Sequence, residues 1–365
     1  MASRLTAITT TPLPSEETVE VIQRELLDWY REHRRDLPWR KDKDPYRIWV
    51  SEIMLQQTRV DTVIPYYERF LNQFPTLNDL ANATDDQVIK AWEGLGYYSR
   101  ARNLHSAVKE VAANYGGKVP DELKTISKLK GIGLYTAGAI LSIAYDKKAP
   151  AVDGNVMRVF SRLFAIPDDI ARQSTRKKME LIAEHLIPAH APGDFNQALM
   201  ELGAMICTPQ SPHCLFCPVQ TVCHAFHEGL QDELPRKKKA KPPVQVNVLF
   251  AWFLQGDKVL IEKRPDTGLL AGMWALPTVE QQAGESPLRT MEKFCDKKTI
   301  PATNYIVKSQ LEHIFSHLHW KIVLVQAEVT DSTFPLPEGW EWSELDDLHT
   351  KAFANVYRKA LKNLL

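Results

Sequence analysis

Residues 129–139, with the sequence LKGIGLYTAGA, decide the fold of the first half of the chain. Gly131 and Gly133 stand two positions apart between segments whose apolar residues have helical spacing. Glycine permits a tight turn with positive φ and the close approach of another backbone. The helix that begins after such a turn presents its free N–H groups and the positive end of its dipole outward. The stretch therefore predicts a helical hairpin whose tip binds an anion such as a phosphodiester, although a G-x-G pair alone is most often an ordinary turn.

Four cysteines follow the helical region in the spacing C-x6-C-x2-C-x5-C. They are Cys207, Cys214, Cys217 and Cys223, and the chain has one other cysteine, Cys295. Nothing in the sequence resembles a secretion signal, so a disulfide framework is not favoured. Structural zinc usually takes two separated cysteine pairs, whereas a compact run of four thiolates is typical of an iron–sulfur cluster. The spacing favours the cluster and leaves zinc as the alternative.

The apolar pattern predicts two domains with different secondary structure. Helical spacing continues from residue 17 to 206, and the cysteine loop follows directly. A polar, basic and proline-containing stretch then reads as a linker. Beyond it, β-branched and apolar residues predict strands at 244–254, at 258–263 and within 305–329, and the chain closes on a short helix. The fold class is therefore multidomain, with an all-helical domain followed by an α+β domain.

These patterns set the expected boundaries. We expect a disordered tail at residues 1–16 and a helical domain at 17–225, which includes the cysteine loop at 207–223. We expect the linker at 226–243 and the α+β domain at 244–365.

Composition indicates an ordinary globular protein rather than a membrane or secreted one. The chain has 365 residues, 44% hydrophobic and 25% charged, with a formal net charge of zero. No apolar run is long enough to span a bilayer, and the N-terminus has no signal-peptide core. We therefore expect an intracellular protein. Two basic runs, at residues 31–47 and 236–241, are interpreted equally well as solvated surface and as phosphate contacts.

Further motifs place the chain in a family. The hairpin resembles the helix–hairpin–helix motif, which binds the DNA backbone without reading sequence. Together with the downstream cysteine loop it resembles the endonuclease III superfamily of DNA repair glycosylases. Four segments resemble the MutY family of adenine DNA glycosylases: residues 37–40 (LPWR), 50–60 (VSEIMLQQTRV), 94–100 (GLGYYSR) and 152–158 (VDGNVMR). The resemblance is dense over residues 20–225 and looser beyond.

The resemblance implies a function. It implies a base-excision repair glycosylase that hydrolyses the N-glycosidic bond of adenine paired with 8-oxoguanine or guanine in duplex DNA. It also implies a 4Fe-4S cluster on the four cysteines, a monomer without membrane attachment and, in a bacterium, a cytoplasmic, nucleoid-associated enzyme.

Two carboxyl groups are the candidate catalytic pair. Breaking an N-glycosidic bond requires protonation of the leaving base and stabilisation of the oxocarbenium charge, a task that glycosidases give to two carboxyls. Glu52 lies in an apolar helical segment, where desolvation raises the pKa of a carboxyl and keeps it protonated. Asp153 precedes a helical run and can stabilise the cation at C1′. The simpler alternatives are a helix-surface glutamate and an ordinary helix N-cap.

Two neighbours complete the candidate catalytic set. Asn155 can orient Asp153 or the attacking water. Tyr135 occupies the hairpin position at which bifunctional relatives carry a lysine, and a tyrosine cannot form the imine that leads to strand cleavage. The chain should therefore hydrolyse the bond and leave the strand intact, with Tyr135 hydrogen-bonded to the catalytic carboxylate or simply part of the core.

Base flipping and base recognition involve further residues that the resemblance supplies. Gln57 and Tyr97 resemble residues that enter the DNA stack, and Gly131 and Gly133 are the backbone-binding pair. The adenine pocket corresponds to four positions, Arg35, Leu37, Trp39 and Gln197. For these residues the alternative is polar surface or hydrophobic core.

The second domain resembles the Nudix fold, with a departure. Residues 268–277, GLLAGMWALP, echo the start of the Nudix motif, but the carboxylate-rich metal-binding helix does not follow. Metal-assisted pyrophosphate hydrolysis is therefore not expected. Phe315, Ser316 and His317 instead look like the family's loop for the oxidised guanine.

Two other functions compete with this reading. A bifunctional thymine-glycol-type lyase is disfavoured by Tyr135. A noncatalytic DNA-binding or redox module is disfavoured by the presence of Glu52 together with Asp153.

Overall fold

A computed structural model describes residues 13–238, 241–331 and 333–364. Most of the predicted tail, residues 1–12, lies outside the described part. The first helix, α1 (Glu16–His33), begins at the end of that predicted tail, because the Ser15 side chain accepts a hydrogen bond from the Thr18 N–H. Across the described residues, no helix combines the length and the apolar character that crossing a bilayer requires.

The chain divides into two compact units whose boundaries differ from the predicted domains. The first comprises the chain up to Asn82 and Asn103–Lys239, and the second comprises Ala83–Arg102 and Ala240–Leu365. Residues 83–102 were expected in the helical domain. They belong instead to the second unit, where the Phe353 N–H donates to Glu93 Oε1 at 2.9 Å.

The first unit is built almost entirely of helices. After α1 these are α2 (Pro45–Leu55), α3 (Val60–Gln73), α4 (Leu77–Asn82), α6 (Ser99–Asn114, which starts in the second unit), α7 (Leu123–Ile126), α8 (Leu134–Tyr145), α9 (Gly154–Leu163), α10 (Gln173–Leu186), α11 (Pro192–Met205) and α12 (His224–His227). One core joins α1, α9, α10 and α11 through side chains such as Leu26, Phe160 and Phe195, all fully buried.

The hairpin lies between α7 and α8, as the sequence predicts. Gly131 has φ +82°, and a Cβ there would lie 2.8 Å from Asn103 Cβ, so this position requires glycine. Gly133 has φ −92°, which any residue adopts, so Gly131 alone of the pair uses the positive φ that glycine permits. Inside α8, a Cβ on Gly138 would lie 1.9 Å from the Pro150 carbonyl oxygen. This close approach sets the loop that leads to α9 directly against α8.

The predicted linker is shorter in the structure. Residues after Cys223 continue to pack on the first unit, where Leu234 is buried and its carbonyl accepts from Arg162 Nε at 2.8 Å. The Arg236 carbonyl accepts from the Ile170 N–H at 3.0 Å. Because these bonds fix the chain to the helical unit, residues 226–236 are not a free connection.

The second unit contains a seven-stranded mixed sheet and confirms the predicted α+β fold. The strands are β1 (Val244–Gln255), β2 (Lys258–Lys263), β3 (Trp274–Ala275), β4 (Thr278–Glu280), β5 (Ala302–Ile314), β6 (Leu318–Val329) and β7 (Trp340–Glu344). The order is β3-β2-β1-β6-β5, with β4 also on β1 and β7 also on β2. The central pair, β1 and β6, is parallel, with Val248 opposite Ile322.

Helices cover both faces of this sheet because the side chains of β1 alternate. Leu249 and Phe253 pack in one cluster with α13 (Pro287–Lys298). Phe250 faces the other way and stacks on Tyr357 of α14 (Asn355–Lys362), with ring centroids 4.6 Å apart. The remaining helix of this unit is α5 (Asp85–Ala91).

Candidate active site

One cavity in the first unit brings together the side chains predicted for catalysis and for the adenine pocket. It is lined by Glu52, Tyr135, Asp153, Asn155, Arg35, Leu37, Trp39 and Gln197, and additionally by Arg40, Met200 and Glu201. Glu52, Tyr135, Asn155 and Gln197 come from α2, α8, α9 and α11, so four separate helices meet at this cavity. Trp39 and Leu37 supply buried apolar walls, and the Trp39 ring packs edge-on against Tyr67 at 5.5 Å.

Glu52 is the buried carboxyl of this cavity. Glu52 is 5% exposed and lies on a turn of α2 among apolar side chains. Desolvation by burial raises the pKa of Glu52 from 4.5 to about 7, and the negative charge of Asp153 adds to this. The Tyr135 hydroxyl donates to Glu52 Oε2 at 2.6 Å, which lowers the pKa and partly offsets the burial. Near neutral pH this carboxyl therefore holds a proton for part of the time.

Tyr135 itself remains a neutral donor. Burial and the neighbouring carboxyls raise the pKa of its hydroxyl well above 10. The hydroxyl also lies 3.4 Å from Met200 Sδ. Because Tyr135 occupies one oxygen of Glu52, the other oxygen is the one that can hold a transferable proton.

Asp153 is both a helix N-cap and a cavity carboxylate. Its Oδ1 accepts from the Val156 N–H at 2.7 Å, and its Oδ2 accepts from Asn155 Nδ2 at 3.0 Å. Burial raises the pKa of Asp153, while these hydrogen bonds act in the opposite direction. The two interpretations made from sequence therefore describe one geometry, in which capping fixes the carboxylate.

Arg158 and Asn155 are hydrogen-bonded to each other beside Asp153. Arg158 Nη2 donates to Asn155 Oδ1 at 2.8 Å, and Arg158 Nε donates to the Cys207 carbonyl at 2.8 Å. Asn155 is thus fixed at both ends of its amide. It acts as an orienting group for Asp153.

The sequence analysis did not predict the buried anion that holds Arg35 and Arg40 in this cavity. Glu201 is 1% exposed and accepts from Arg35 Nε at 2.8 Å and from Arg40 Nη2 at 2.9 Å. Burial by itself would raise the pKa of Glu201, but the hydrogen bonds from both arginines dominate and lower it to about 2. Arg40 Nε also donates to Gln197 Oε1 at 3.2 Å. The i,i+4 spacing of Gln197 and Glu201 was the available sequence signal, since it puts both on one face of α11.

A basic groove passes the mouth of this cavity. Gln57, Gly133, Tyr135 and Asp153 line it, together with six cationic side chains: Arg59, Arg158, Arg172, Arg176, Lys177 and Lys237. Lys237 comes from the second basic run of the sequence. The first run forms no single surface, because Arg35 and Arg40 point into the cavity while Arg47 pairs with Asp42.

The two residues expected to enter the DNA stack share an uncommon backbone. Gln57 has φ +59° and Tyr97 has φ +47°, both in the left-handed region that non-glycine residues rarely adopt. Both are exposed. Such conformations persist only where the surroundings impose them, and they are concentrated at functional positions.

The four loop cysteines line one small cavity with Arg162. Arg162 Nη1 donates to Cys207 Sγ at 3.3 Å, and Arg162 is 2% exposed. Burial and the neighbouring thiolates raise the pKa of Cys217 to about 12. Within the described residues, no three His, Cys, Asp or Glu side chains converge on a single metal ion. Four thiols on one cavity are a donor set that fits an iron–sulfur cluster, and the same set also fits structural zinc.

The second unit contains the residues expected to read the opposite base. The Phe315 ring lies 4.5 Å from the His313 ring and 5.0 Å from the Trp320 ring. Ser316 and His317 are exposed at the tip of the β5–β6 hairpin. The Tyr97 and Ser316 hydroxyl oxygens are 3.3 Å apart, and both residues line one cavity.

Comparison with known proteins agrees with this geometry. Residues 50–185 match the HhH-GPD superfamily of base excision DNA repair proteins. The adenine DNA glycosylase of Mus musculus is 35% identical, over 94% of this chain and 78% of that protein. The chain belongs to the adenine DNA glycosylase family. The family member of Buchnera aphidicola from Schizaphis graminum is 32% identical, over 94% of this chain and 99% of its own. The predicted MutY resemblance is thereby confirmed, and the protein is a DNA N-glycosylase of base excision repair.

Structural neighbours and the second domain extend this comparison. A thermostable thymine-DNA glycosylase superposes with a TM-score of 0.52 and 31% identity, over 58% of this chain and 98% of its own. Endonuclease III trapped on DNA gives 0.51 at 21% identity, over 60% of this chain and all of its own, which shows the shared fold. Residues 248–363 match the NUDIX domain. This adenine DNA glycosylase family member therefore joins a helix–hairpin–helix glycosylase fold to a Nudix-like domain.

Proposed function

We propose that the protein hydrolyses the N-glycosidic bond of adenine paired with 8-oxoguanine or guanine in duplex DNA and leaves the strand intact. One observation carries the proposal: a buried carboxyl with a pKa of about 7, Glu52, shares a cavity with the fixed carboxylate of Asp153. Acid-assisted departure of a base uses one carboxyl that gives a proton and a second carboxyl that stabilises the cation.

Binding and flipping come first. The basic groove attracts the phosphate backbone, and the hairpin amides near Gly131 and Gly133 hold it without reading sequence. Gln57 and Tyr97 enter the stack, while the adenine rotates out of the helix. The flipped base then lies against Trp39 and Leu37, and the guanidinium of Arg35 and the amide of Gln197 hydrogen-bond its polar edge.

Bond cleavage follows from the two carboxyls. Glu52 donates its proton to the adenine ring at N7, and the electron pair of the glycosidic bond moves to the base, which leaves as neutral adenine. The sugar carries positive charge at C1′. The Asp153 carboxylate, held by the Val156 N–H and by Asn155, stabilises that charge. Water then adds at C1′, and its proton passes to the Glu52 carboxylate, which restores the starting state.

Tyr135 directs the outcome toward simple hydrolysis. Its neutral hydroxyl holds Glu52 Oε2 and offers no amine for attack on C1′. The abasic sugar therefore leaves the enzyme with its phosphodiester bonds unbroken.

The cysteine loop would hold a 4Fe-4S cluster through Cys207, Cys214, Cys217 and Cys223. When bound, the cluster supplies four strong iron–thiolate bonds that cross-link residues 207–223 into one rigid loop. Arg162 donates to the Cys207 sulfur and so stabilises its negative charge. The hydrolysis proposed above uses no iron.

The Nudix-like domain supplies recognition of the opposite base. The hairpin tip with Phe315, Ser316 and His317 shares a cavity with Tyr97, so the residue that enters the stack adjoins the residues that would read the guanine. The Ser316 hydroxyl can both donate and accept, which suits the changed hydrogen-bonding edge of 8-oxoguanine. One chain completes both sites, and we propose that it acts as a monomer.

A single-turnover assay tests the function. The purified protein is incubated with a duplex that carries one adenine opposite 8-oxoguanine, and free adenine and strand breaks are measured separately. We expect adenine release, with strand breaks only after alkali. Strand breaks without alkali would indicate a lyase, and tight binding without adenine release would indicate a noncatalytic module.

A further inference from the structure

Glu93 is a nearly buried carboxylate in the turn between α5 and the loop that carries Tyr97. Its side chain is 9% exposed. Its oxygens accept from Lys90 Nζ at 2.8 Å and from the Phe353 N–H at 2.9 Å. Its Oε2 also forms an ion pair with Arg358 Nη1 at 3.1 Å. Phe353 and Arg358 belong to the C-terminal part of the second unit, so Glu93 joins the turn directly to that part.

Neighbouring bonds attach the same loop at further points. The Gly94 carbonyl accepts from Asn355 Nδ2 at 3.1 Å, and Arg102 Nη1 donates to the Ala271 carbonyl at 2.6 Å. Residues 94–102 are therefore held to the Nudix-like domain on both sides of Tyr97. None of these residues lines the adenine cavity.

The loop needs such support because of its backbone. Tyr97 has φ +47° and is flanked by Gly96 at φ +75°. A tyrosine in the left-handed region has a conformational cost, so this geometry persists only while the surroundings impose it. Its hydroxyl oxygen lies 3.3 Å from that of Ser316, and a small rotation of the loop would separate the two.

We infer that Glu93 is a positioning residue for discrimination of the opposite base. By fixing the turn to Phe353 and Arg358, it keeps Tyr97 and Ser316 in contact, so the residue that enters the stack and the residue that reads the guanine act as one element. The inference rests on the proposed recognition of 8-oxoguanine by Ser316.

Burial and charge distinguish Glu93 from other ion pairs of this segment. Removing its carboxylate leaves the Phe353 N–H without its acceptor beside a side chain that is only 9% exposed, which is costly. Lys90 and Arg358, which are 36% and 56% exposed, lose the carboxylate that they share. Asp86 forms a similar ion pair with Lys263 at 2.8 Å, but its side chain is 62% exposed. An exposed pair contributes little, so Asp86 provides the matched control.

The test measures single-turnover adenine release opposite 8-oxoguanine and opposite guanine. In Glu93→Ala and Glu93→Gln we expect the ratio of the two rates to fall about tenfold, because a hydrogen-bonded charge contributes about that factor or more. Excision opposite guanine should change less, since the adenine cavity is intact. Asp86→Asn should keep the wild-type ratio. An unchanged ratio in Glu93→Gln, or an equal loss against both duplexes, would overturn the inference.

Ser316→Ala separates this inference from the proposed function. If Ser316 reads the guanine through the Glu93-supported contact, adding Glu93→Gln to Ser316→Ala should lower the ratio no further than Ser316→Ala does alone. Independent, multiplying effects would refute the coupling. If Ser316→Ala alone keeps the wild-type ratio, the proposed reading role fails, whatever Glu93 does. Thermal melting identifies any variant that does not fold, and Glu93→Gln carries the test where Glu93→Ala does not.

Discussion

Replacing Glu52 by glutamine should remove catalysis and raise stability at the same time. The glutamine has nearly the same shape, and its Oε1 can still accept from Tyr135, so only the transferable proton and the charge are lost. General acid catalysis typically contributes about 10²–10⁴-fold, and we expect the single-turnover rate to fall by that factor while duplex binding is retained.

The stability gain follows from the pKa of Glu52. Raising that pKa from 4.5 in the unfolded chain to about 7 corresponds to about 3 kcal/mol. The folded state binds the extra proton, so the wild-type protein loses this free energy as pH rises from about 4.5 through about 7. Glu52→Gln does not lose it. The two proteins should therefore be equally stable near pH 4.5, and the variant should be about 3 kcal/mol more stable above pH 7.

Urea unfolding followed by helical circular dichroism, repeated between pH 5 and 9, measures this difference. The reasoning would be refuted by a variant that is less stable than the wild type at pH 8, or by a stability difference that does not depend on pH.

Tyr135→Phe tests the pKa of Glu52 through the pH dependence of activity. It removes the hydrogen bond that lowers the pKa of Glu52, so the decline of activity above neutral pH should move to higher pH.

Three further substitutions probe the site and its support. Asp153→Asn keeps an equally good helix cap but removes the charge, so we expect single-turnover excision to fall about 10²–10³-fold or more; normal turnover would contradict the assignment. Gly138→Ala places a Cβ against a carbonyl and should cost about 1–3 kcal/mol or more in urea unfolding, while Gly133→Ala, with open space at its Cβ, should fold normally. Lys237→Ala should weaken duplex binding and lower the slope of log affinity against log salt by about one, and an unchanged slope would exclude Lys237 from the interface.

The sequence predicted those helices, strands and turns that are determined by residues close together in the chain. Alternating and β-branched residues marked β1 and β2 almost to their ends, and the hairpin glycines marked the start of α8. Glu52 and Asp153 were found because short motifs contain them, and the cavity that they share is consistent with the roles given to them. Their surroundings within a few residues already implied burial for one and capping for the other.

What the sequence did not predict depends on contacts between distant segments. Arg35 and Glu201 are 166 positions apart, and no local pattern shows that the end of α1 meets α11. Residues 83–102 have ordinary helical spacing, yet bonds from Phe353 and Asn355 place them in the second unit. The predicted linker includes packed residues for a related reason. Its polar composition does not show that Leu234 is buried, or that the carbonyls of Leu234 and Arg236 accept hydrogen bonds from distant residues.

The start of α8 also fixes a distance. Gly133 caps this helix, and Tyr135, the partner of Glu52, is its second residue. Two residues of an α-helix rise only about 3 Å. The helix N-terminus that would bind a phosphate and the Tyr135–Glu52 pair are therefore held at a fixed distance from each other. One residue inserted between them would turn Tyr135 by about 100° about the helix axis, away from Glu52. The phosphate contact and the proton donor therefore lie within one helical turn of each other. A substrate with a longer or shorter connection between phosphate, sugar and base would not place its base next to Glu52.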